Sequence, residues 1–287
     1  MSVFSSPLID VADLARFTEV GGHESFPGHL RVLDVRWRLG HTGNHRDYQD
    51  GHIPGAVWVD LDRQLADRPN QASGRHPLPD LGRLREAAVA WGLDDDTTVV
   101  AYDGGGNFSS ARLWWVLGDA GFTDVHLLDG AWPAWLAAGL PVATDTVVPR
   151  PGRAQLGPAG QWASIGLDGA ADWPNQGILF DARARERYLG LAEPVDARAG
   201  HIPGAVSAPT GDNLAESGQF RPAGELRRRF ADLGVTETTP VAVYCGSGVT
   251  ASHEIFALRL AGFDGALYPG SWSQWAASDQ PAATGEE

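Results

Sequence analysis

The sequence predicts an α/β protein of two tandem domains, each a mainly parallel sheet flanked by helices on both faces. Three observations support this prediction. The chain has 287 residues, which exceeds the usual size of one compact core and favours two domains of about 140 residues each. Short β-branched runs alternate with amphipathic helical patterns, as expected for strands joined by crossover helices. The heptapeptide GHIPGAV occurs twice, at residues 51–57 and 200–206.

The heptapeptide is part of a longer repeat. Ahead of each copy, a strand-like segment ends in Asp-x-Arg, as in RVLDVR from Arg31 and ILFDAR from Ile178. Behind each copy come a second strand-like run, TTVVAY or PVAVY, then an amphipathic stretch and the tripeptide AGF. Both halves close on a tryptophan-rich segment, LLDGAWPAW or LYPGSWSQW. Features repeated in the same order indicate a domain duplicated in tandem.

Helices and a linker complete the predicted organisation. The patterns PDLGRLREAAVAWGL and AGELRRRFADLGV are typical of crossover helices. From Ala143 the sequence ATDTVVPRPGRAQLGPAGQW is rich in Pro, Gly and small residues without apolar periodicity, which is typical of an exposed linker. We therefore expect an N-terminal domain over residues 1–143, a linker over 144–158 and a C-terminal domain over 159–287.

The composition excludes several classes of function. A net charge of −14 argues against a nucleic-acid partner. All 22 basic residues are arginine, so Schiff-base chemistry and the phosphate-loop lysine are excluded. A single cysteine permits neither an internal disulfide nor a cysteine-based metal cage. Since the sequence shows no signal peptide and no stretch of about 18 apolar residues, we expect a cytoplasmic protein that does not bind membranes.

The only cysteine, Cys245, lies in a glycine-rich turn after the strand-like run VAVY. Ligands of parallel sheets bind where such strands end. Gly246 and Gly248 ease unusual backbone angles and let amide N–H groups converge on one spot. At a helix N-terminus this forms a cradle for an anion, which favours the thiolate. Because the helix end contributes only about 0.3–1 kcal/mol, we expect a cationic side chain nearby.

Several cysteine chemistries could use this loop. A buried structural cysteine is the alternative without chemistry. A phosphatase with the signature Cys, five residues, Arg would need arginine where the chain has Ala251. A cysteine protease would need a paired histidine, but His253 is predicted to be a solvated helix residue. Sulfur transfer remains: the thiolate takes sulfur from a donor and keeps it as a persulfide, which the amide cradle stabilises.

The duplicated GHIPGA halves, the loop CGSGVTA and the closing LYPGSWSQW resemble the tandem-domain rhodanese family of sulfurtransferases. The resemblance covers nearly the whole chain. It implies two rhodanese-like domains, catalysis by Cys245 in the second, and no metal or organic cofactor. Asp103 occupies the cysteine's place in the first half, so the N-terminal domain is expected to be catalytically inactive.

The resemblance also bears on the substrates. A neutral CGSG loop is similar to that of 3-mercaptopyruvate sulfurtransferases, whereas cationic residues after the cysteine are typical of thiosulfate enzymes. We therefore expect 3-mercaptopyruvate as the anionic sulfur donor, with thiosulfate as the alternative. The expected acceptors are cyanide, a small thiol or a reduced thioredoxin-like protein. An alternative of another class is a non-enzymatic protein that binds a partner or an anion.

Supporting residues follow from the resemblance. Arg187 matches the family arginine that binds the donor's anionic group, and Arg75, in SGRHPLP, is expected to add positive charge. Ser247 is expected to bind the donor or to relay a proton with His52. The alternative for His52 is that it satisfies backbone carbonyls in a turn, as its counterpart His201 would. The amides expected to bind the thiolate and the donor belong to Gly246, Ser247, Gly248, Val249 and Thr250.

Two arginines remain to be placed. Arg183, in the second Asp-x-Arg element, is expected to be structural. Many mercaptopyruvate enzymes have a second donor arginine, but this chain has Asp196 near that place. Whether Arg198 substitutes for it stays open at the level of the sequence.

Overall fold

The structure, a computed structural model, describes residues 4–18 and 30–286. The chain divides into two compact units. The first comprises Met1–Ala66, Pro79–Gln161 and Glu216–Gln219, and the second comprises Asp67–Leu78, Trp162–Ala215 and Phe220–Glu287. The segment Asp67–Leu78 thus belongs to the second unit although it comes from the first half of the sequence.

In its described residues, the first unit contains a five-stranded parallel sheet of order β1-β5-β4-β2-β3. The strands are β1 (Leu8–Ile9), β2 (Leu30–Asp34), β3 (Val57–Trp58), β4 (Thr98–Tyr102) and β5 (Val125–Leu128). The helices are α1 (Val11–Thr18), α2 (Asn44–Asp50), α3 (Leu61–Gln64), α4 (Leu81–Ala90), α5 (Ser110–Asp119) and α6 (Ala131–Ala137).

The described part of the second unit repeats this plan with four parallel strands in the order β7-β6-β8-β9. The strands are β6 (Ile178–Asp181), β7 (Val206–Ser207), β8 (Val241–Tyr244) and β9 (Ala266–Leu267). The α-helices are α7 (Leu167–Asp172), α8 (Arg185–Tyr188), α9 (Ala223–Asp232), α10 (Val249–Leu260) and α11 (Ser271–Trp275), with 3-10 turns at Trp173–Asn175 and Thr210–Asn213.

The central strands are covered on both faces. Every residue of β4, β5 and β8 is buried, which requires packing above and below the sheet because successive side chains of a strand alternate between faces. Their β-branched runs, VVA and VAV, suit this environment. The predicted α/β class with parallel sheets is confirmed.

The Asp-x-Arg elements explain part of the sequence repeat. Arg183 Nη2 donates to Asp181 Oδ2 at 2.5 Å and to the carbonyl of Gly200, the first residue of the second heptapeptide, at 2.6 Å. Arg36 makes the corresponding bonds to Asp34 and to the first glycine of the first heptapeptide, both at 2.6 Å. Each arginine is therefore buried and connects a strand end to a loop by hydrogen bonds, which is the structural role expected for Arg183.

The segment predicted as a linker, residues 144–158, packs within the first unit. The amide of Gly152 donates to the carbonyl of Val89 at 2.8 Å, and the amide of Gly157 donates to that of Ala120 at 2.8 Å. A Cβ at Gly152 would lie 2.0 Å from the carbonyl oxygen of Leu93, so only glycine permits this approach. The predicted domain limits themselves stay a prediction.

Candidate functional site

The cysteine loop connects β8 with α10 and is held by hydrogen bonds to the start of α11. Cys245 is buried, and its amide donates to Ser271 Oγ at 3.1 Å. Its carbonyl accepts the amide of Trp272 at 2.9 Å, and the carbonyl of Gly246 accepts that of Ser273, also at 2.9 Å. These bonds fix the loop against the start of α11, so the position of the sulfur is set by the fold.

The sulfur atom lies at the N-terminus of α10. The amide of Gly248 donates to Cys245 Sγ at 3.1 Å. Gly248 has φ of +79°, a left-handed conformation that side chains rarely adopt. A twelve-residue helix begins directly after it, and its free N–H groups favour negative charge on the sulfur. Participation of the other loop amides stays a prediction.

Two guanidinium groups lie over the loop. A Cβ built at Gly246 would lie 3.3 Å from Arg187 Nη1 and 3.4 Å from Arg75 Nη2. Arg187 comes from α8 and Arg75 from the segment Asp67–Leu78, so two distant parts of the sequence place cations at one residue next to the cysteine. One cationic side chain was expected near the thiolate, and two lie at the residue next to the cysteine.

Two buried carboxylates hold these guanidinium groups. Glu193 Oε1 accepts Arg187 Nη2 at 2.6 Å. Asp196 lies between the two arginines, since its Oδ1 accepts Arg75 Nη1 at 2.7 Å and its Oδ2 accepts Arg187 Nη2 at 3.1 Å. Burial raises the pKa of Glu193, but the amide of Asp196 and the Arg187 guanidinium outweigh burial and hold the pKa below its ordinary value.

The carboxylates leave nitrogens of both arginines without a hydrogen bond among the described residues, including the buried Arg75 Nε. Arg187 Nη1 and Arg75 Nη2 make no hydrogen bond with any described residue, and these are the atoms that face Gly246. Two adjacent unpaired N–H donors on cationic groups form a site for a carboxylate or another oxyanion. Gly246 leaves the space that such a group needs.

Ser247 pairs with a histidine other than the expected one. Ser247 Oγ lies 2.7 Å from Nδ1 of His76, and both residues are buried. The sequence analysis named His52 as this partner. His52 lies in the first unit, fully buried, where its Nδ1 donates to the carbonyl of Tyr48 at 3.0 Å. The pairing with His76 therefore replaces the predicted one.

His52 instead has the structural arrangement that was its alternative. Its ring stacks on Tyr48 with centroids 4.0 Å apart, and burial lowers its pKa. In the second unit His201 stacks on Tyr188 and bonds to the carbonyl of that residue at 2.8 Å. The two histidines of the repeated heptapeptide thus perform the same turn-stabilising task.

Burial and hydrogen bonds bear on one open question, the role of Arg198, and on one expectation, the exposure of His253. All three guanidinium nitrogens of Arg198 donate to backbone carbonyls, those of Trp275, Ala276, Ser278 and Gln280, so Arg198 stabilises the end of α11 and the chain after it. His253 is fully buried, and its Nδ1 lies 2.7 Å from Thr210 Oγ1. The expectation that His253 is solvated is wrong, because α10 is buried on nearly all sides.

The corresponding loop of the first unit is filled by its own side chain. Asp103 Oδ1 accepts the amides of Gly105 and Asn107 at 2.8 and 3.0 Å, and Oδ2 accepts the amide and hydroxyl of Ser109 at 2.8 and 3.0 Å. Burial raises the pKa of Asp103, and these donors act against that rise. A carboxylate thus occupies the anion cradle of this copy.

Comparison with known proteins places these observations in a family. The family model described as "Rhodanese-like domain" matches residues 22–138 and 167–278. The SseB protein of Mycobacterium tuberculosis, whose name assigns it provisionally to the thiosulfate sulfurtransferases, is 42% identical over 270 residues, or 93% of each chain. A protein of Pseudomonas aeruginosa named "Probable 3-mercaptopyruvate sulfurtransferase" is 45% identical over 267 residues, covering 90% of this chain and 93% of its own length.

A solved structure is similar over almost the same extent. The crystal structure of SseA from Escherichia coli, described as a 3-mercaptopyruvate sulfotransferase of the rhodanese fold, superposes with a TM-score of 0.78 at 28% identity. It covers 94% of this chain and 100% of its own.

Proposed function

The chain belongs to the rhodanese-like family and is a sulfurtransferase, and we propose that it moves sulfur from 3-mercaptopyruvate to a thiol or cyanide through a persulfide on Cys245. The observation that carries this proposal is the pair of unpaired nitrogens, Arg187 Nη1 and Arg75 Nη2, over the residue next to the cysteine. They bind the donor carboxylate. No metal or organic cofactor takes part in the proposed cycle.

The first half-reaction breaks the carbon–sulfur bond of the donor. The Cys245 thiolate attacks the donor sulfur, and the electron pair of the C–S bond passes to the carbon as the enolate of pyruvate. That carbon then takes up the proton that the donor thiol supplies, so that pyruvate leaves and Cys245 keeps a persulfide anion. The amide of Gly248, 3.1 Å from Sγ, and the N-terminus of α10 stabilise negative charge on the sulfur.

The proton needs a carrier between the donor sulfur and the enolate carbon. Ser247 and His76 supply it, because their 2.7 Å contact lets the hydroxyl donate to the substrate while the imidazole restores its proton. Both groups are shielded from solvent, which limits competition from water.

In the second half-reaction an acceptor thiolate or cyanide attacks the outer sulfur of the persulfide. The S–S bond breaks, the Cys245 thiolate is regenerated, and the acceptor leaves as a persulfide or as thiocyanate. A small thiol or a reduced thioredoxin-like protein in the cytoplasm serves as the acceptor. No helix in the described ranges is long and apolar enough to span a bilayer.

Thiosulfate is the second candidate donor, because two guanidinium nitrogens also suit its sulfonate oxygens. In that reaction the thiolate takes the outer sulfur and sulfite leaves. Steady-state kinetics with both donors, side by side, decide between them. We expect a higher kcat/KM with 3-mercaptopyruvate, and a value at least about tenfold higher with thiosulfate would overturn the donor assignment, since this is about 1.4 kcal/mol of transition-state binding.

Mass spectrometry tests the covalent step. After treatment with either donor, Cys245 should gain the mass of one sulfur atom, and the gain should be lost on addition of cyanide. Cys245→Ser should neither gain sulfur nor turn over. If that variant turned over 3-mercaptopyruvate or thiosulfate at the rate of the wild type, the persulfide on Cys245 would be refuted.

A further inference from the structure

Asp196 occupies a position between the two arginines of the donor site. Its two carboxylate oxygens each take one nitrogen, Arg75 Nη1 at 2.7 Å and Arg187 Nη2 at 3.1 Å. The Asp196 side chain is only 7% exposed. Its backbone amide donates to Glu193 Oε1 at 3.0 Å. The carboxylate is thus fixed from both the backbone and the side chain.

We propose that Asp196 determines donor specificity: it orients both guanidinium groups and limits the positive charge of the site, so that a donor with one carboxylate is favoured over a dianion such as thiosulfate. This inference rests on the proposed function. It concerns which sulfur donor the site prefers, measured as the ratio of kcat/KM for the two donors.

The orienting role follows from which nitrogens are used. Asp196 binds Arg75 through Nη1 and Arg187 through Nη2, and the opposite nitrogens, Nη2 and Nη1, face Gly246. A guanidinium group is planar and rigid, so fixing one nitrogen also fixes the direction of the others. Glu193 also holds Arg187, so Asp196 sets the spacing of the two N–H donors that meet the donor anion together with Glu193.

The charge role follows from counting the groups of the site. Arg75 and Arg187 bring two positive charges, and Glu193 and Asp196 bring two negative charges. The nearby Arg183 is matched by its strand partner Asp181 at 2.5 Å. The cations therefore have no excess over the carboxylates before the donor arrives. A second negative charge on the donor would meet the repulsion of Asp196 in a partly desolvated site, where charges interact strongly.

The isosteric variant Asp196→Asn tests this inference. It keeps the shape and one acceptor oxygen but removes the charge. We expect the ratio of kcat/KM for thiosulfate to that for 3-mercaptopyruvate to rise at least about tenfold at low ionic strength, where screening is weakest. Asp279→Asn is the matched control, since Asp279 is an exposed aspartate of the same unit. Its donor ratio should equal that of the wild type.

A second variant, for which the donor ratio should change in the opposite direction, keeps the test independent of the stability of D196N. Arg75→Gln removes one cation and leaves Asp196, so the same donor ratio should fall at least about tenfold relative to the wild type. Competitive inhibition gives a readout without turnover: sodium sulfate should gain affinity relative to sodium pyruvate in D196N and lose it in R75Q.

The outcomes separate this inference from the proposed function. An active wild type whose donor ratio and inhibitor ratio do not move in D196N and R75Q would overturn the role of Asp196 alone. Equal losses for both donors would also overturn it, because they indicate a purely structural residue. A wild type that forms no persulfide with either donor would instead refute the proposed function.

Discussion

Gly246→Ala is the sharpest test of where the donor carboxylate binds. The new Cβ would lie 3.3 Å from Arg187 Nη1 and 3.4 Å from Arg75 Nη2. An oxyanion hydrogen-bonded to these nitrogens needs about the same place, at 2.7–2.9 Å from each. The methyl group therefore competes with the substrate for the space, while the arginine ends need to shift only slightly to receive it.

The expected magnitude follows from the bonds that are lost. Each charge-assisted hydrogen bond contributes about 1.5 kcal/mol or more, so losing two costs about 3 kcal/mol. At about 1.4 kcal/mol per factor of ten, kcat/KM for 3-mercaptopyruvate should fall about 100-fold. Stability should change little, because the backbone of Gly246 is outside the left-handed region and a compatible Gly-to-Ala change contributes about 0.4–1 kcal/mol in favour of folding.

The assay is pyruvate release from 3-mercaptopyruvate, with thermal unfolding measured in parallel. Gly211→Ala is the matched control, because a Cβ at Gly211 would meet nothing within 4 Å in the same unit. A G246A protein with the kcat/KM of the wild type would refute binding of the donor at this place. Activity lost only together with the folded state would refute the steric reasoning in the same way.

Three other predictions concern the proton carrier, a buried carboxylate and the first domain. His76→Gln should lower kcat with 3-mercaptopyruvate by about 100-fold but change thiosulfate turnover far less, because no carbon is protonated there; equal losses in the two assays would exclude a proton-carrying role. Glu193→Gln should lower the free energy of unfolding by about 1–3 kcal/mol at pH 7. Since the pKa of Glu193 is lowered in the folded protein, this stabilisation is present above the ordinary value of 4.5 and is lost as the pH falls through the folded pKa. The free energies of unfolding of wild type and variant, measured by urea denaturation, should therefore converge in acid. A difference that stays constant with pH would contradict the reasoning. Asp103→Ala leaves several buried donors without an acceptor and should cost about 2–4 kcal/mol of stability without changing kcat/KM; a large kinetic loss in a folded variant would show that the first domain takes part in the chemistry.

The fold and the position of the nucleophile could be predicted because they depend on local patterns. A β-branched run, a glycine-rich turn and an amphipathic stretch determine a strand, a loop and a helix from neighbouring residues. This places Cys245 between β8 and α10. Arg187 was instead predicted from the resemblance to the rhodanese family, and its place over Gly246 is a finding of the structure.

Other members of the site were missed for an equally physical reason. His76 stands directly after Arg75 in SGRHPLP, a segment that the sequence did single out, yet nothing in its spacing relates it to Ser247, which lies 171 residues away. The error over His52 came from the conspicuous heptapeptide, whose histidine is used inside its own turn. The sequence analysis noted Asp196 only as an acidic residue near the place where many mercaptopyruvate enzymes have a second donor arginine.

The amino-acid sequence by itself determined the duplication, the parallel α/β architecture, the single sulfur nucleophile and the absence of lysine chemistry, because periodicity, repeats and composition are properties of the chain alone. Only the tertiary structure decided the partner of Ser247, the role of Asp196 between two arginines and the occupation of the first anion cradle by Asp103. Those contacts depend on the distances and orientations of side chains, and for Ser247 and Asp196 they join segments that are distant along the chain. No pattern of neighbouring residues encodes such distances.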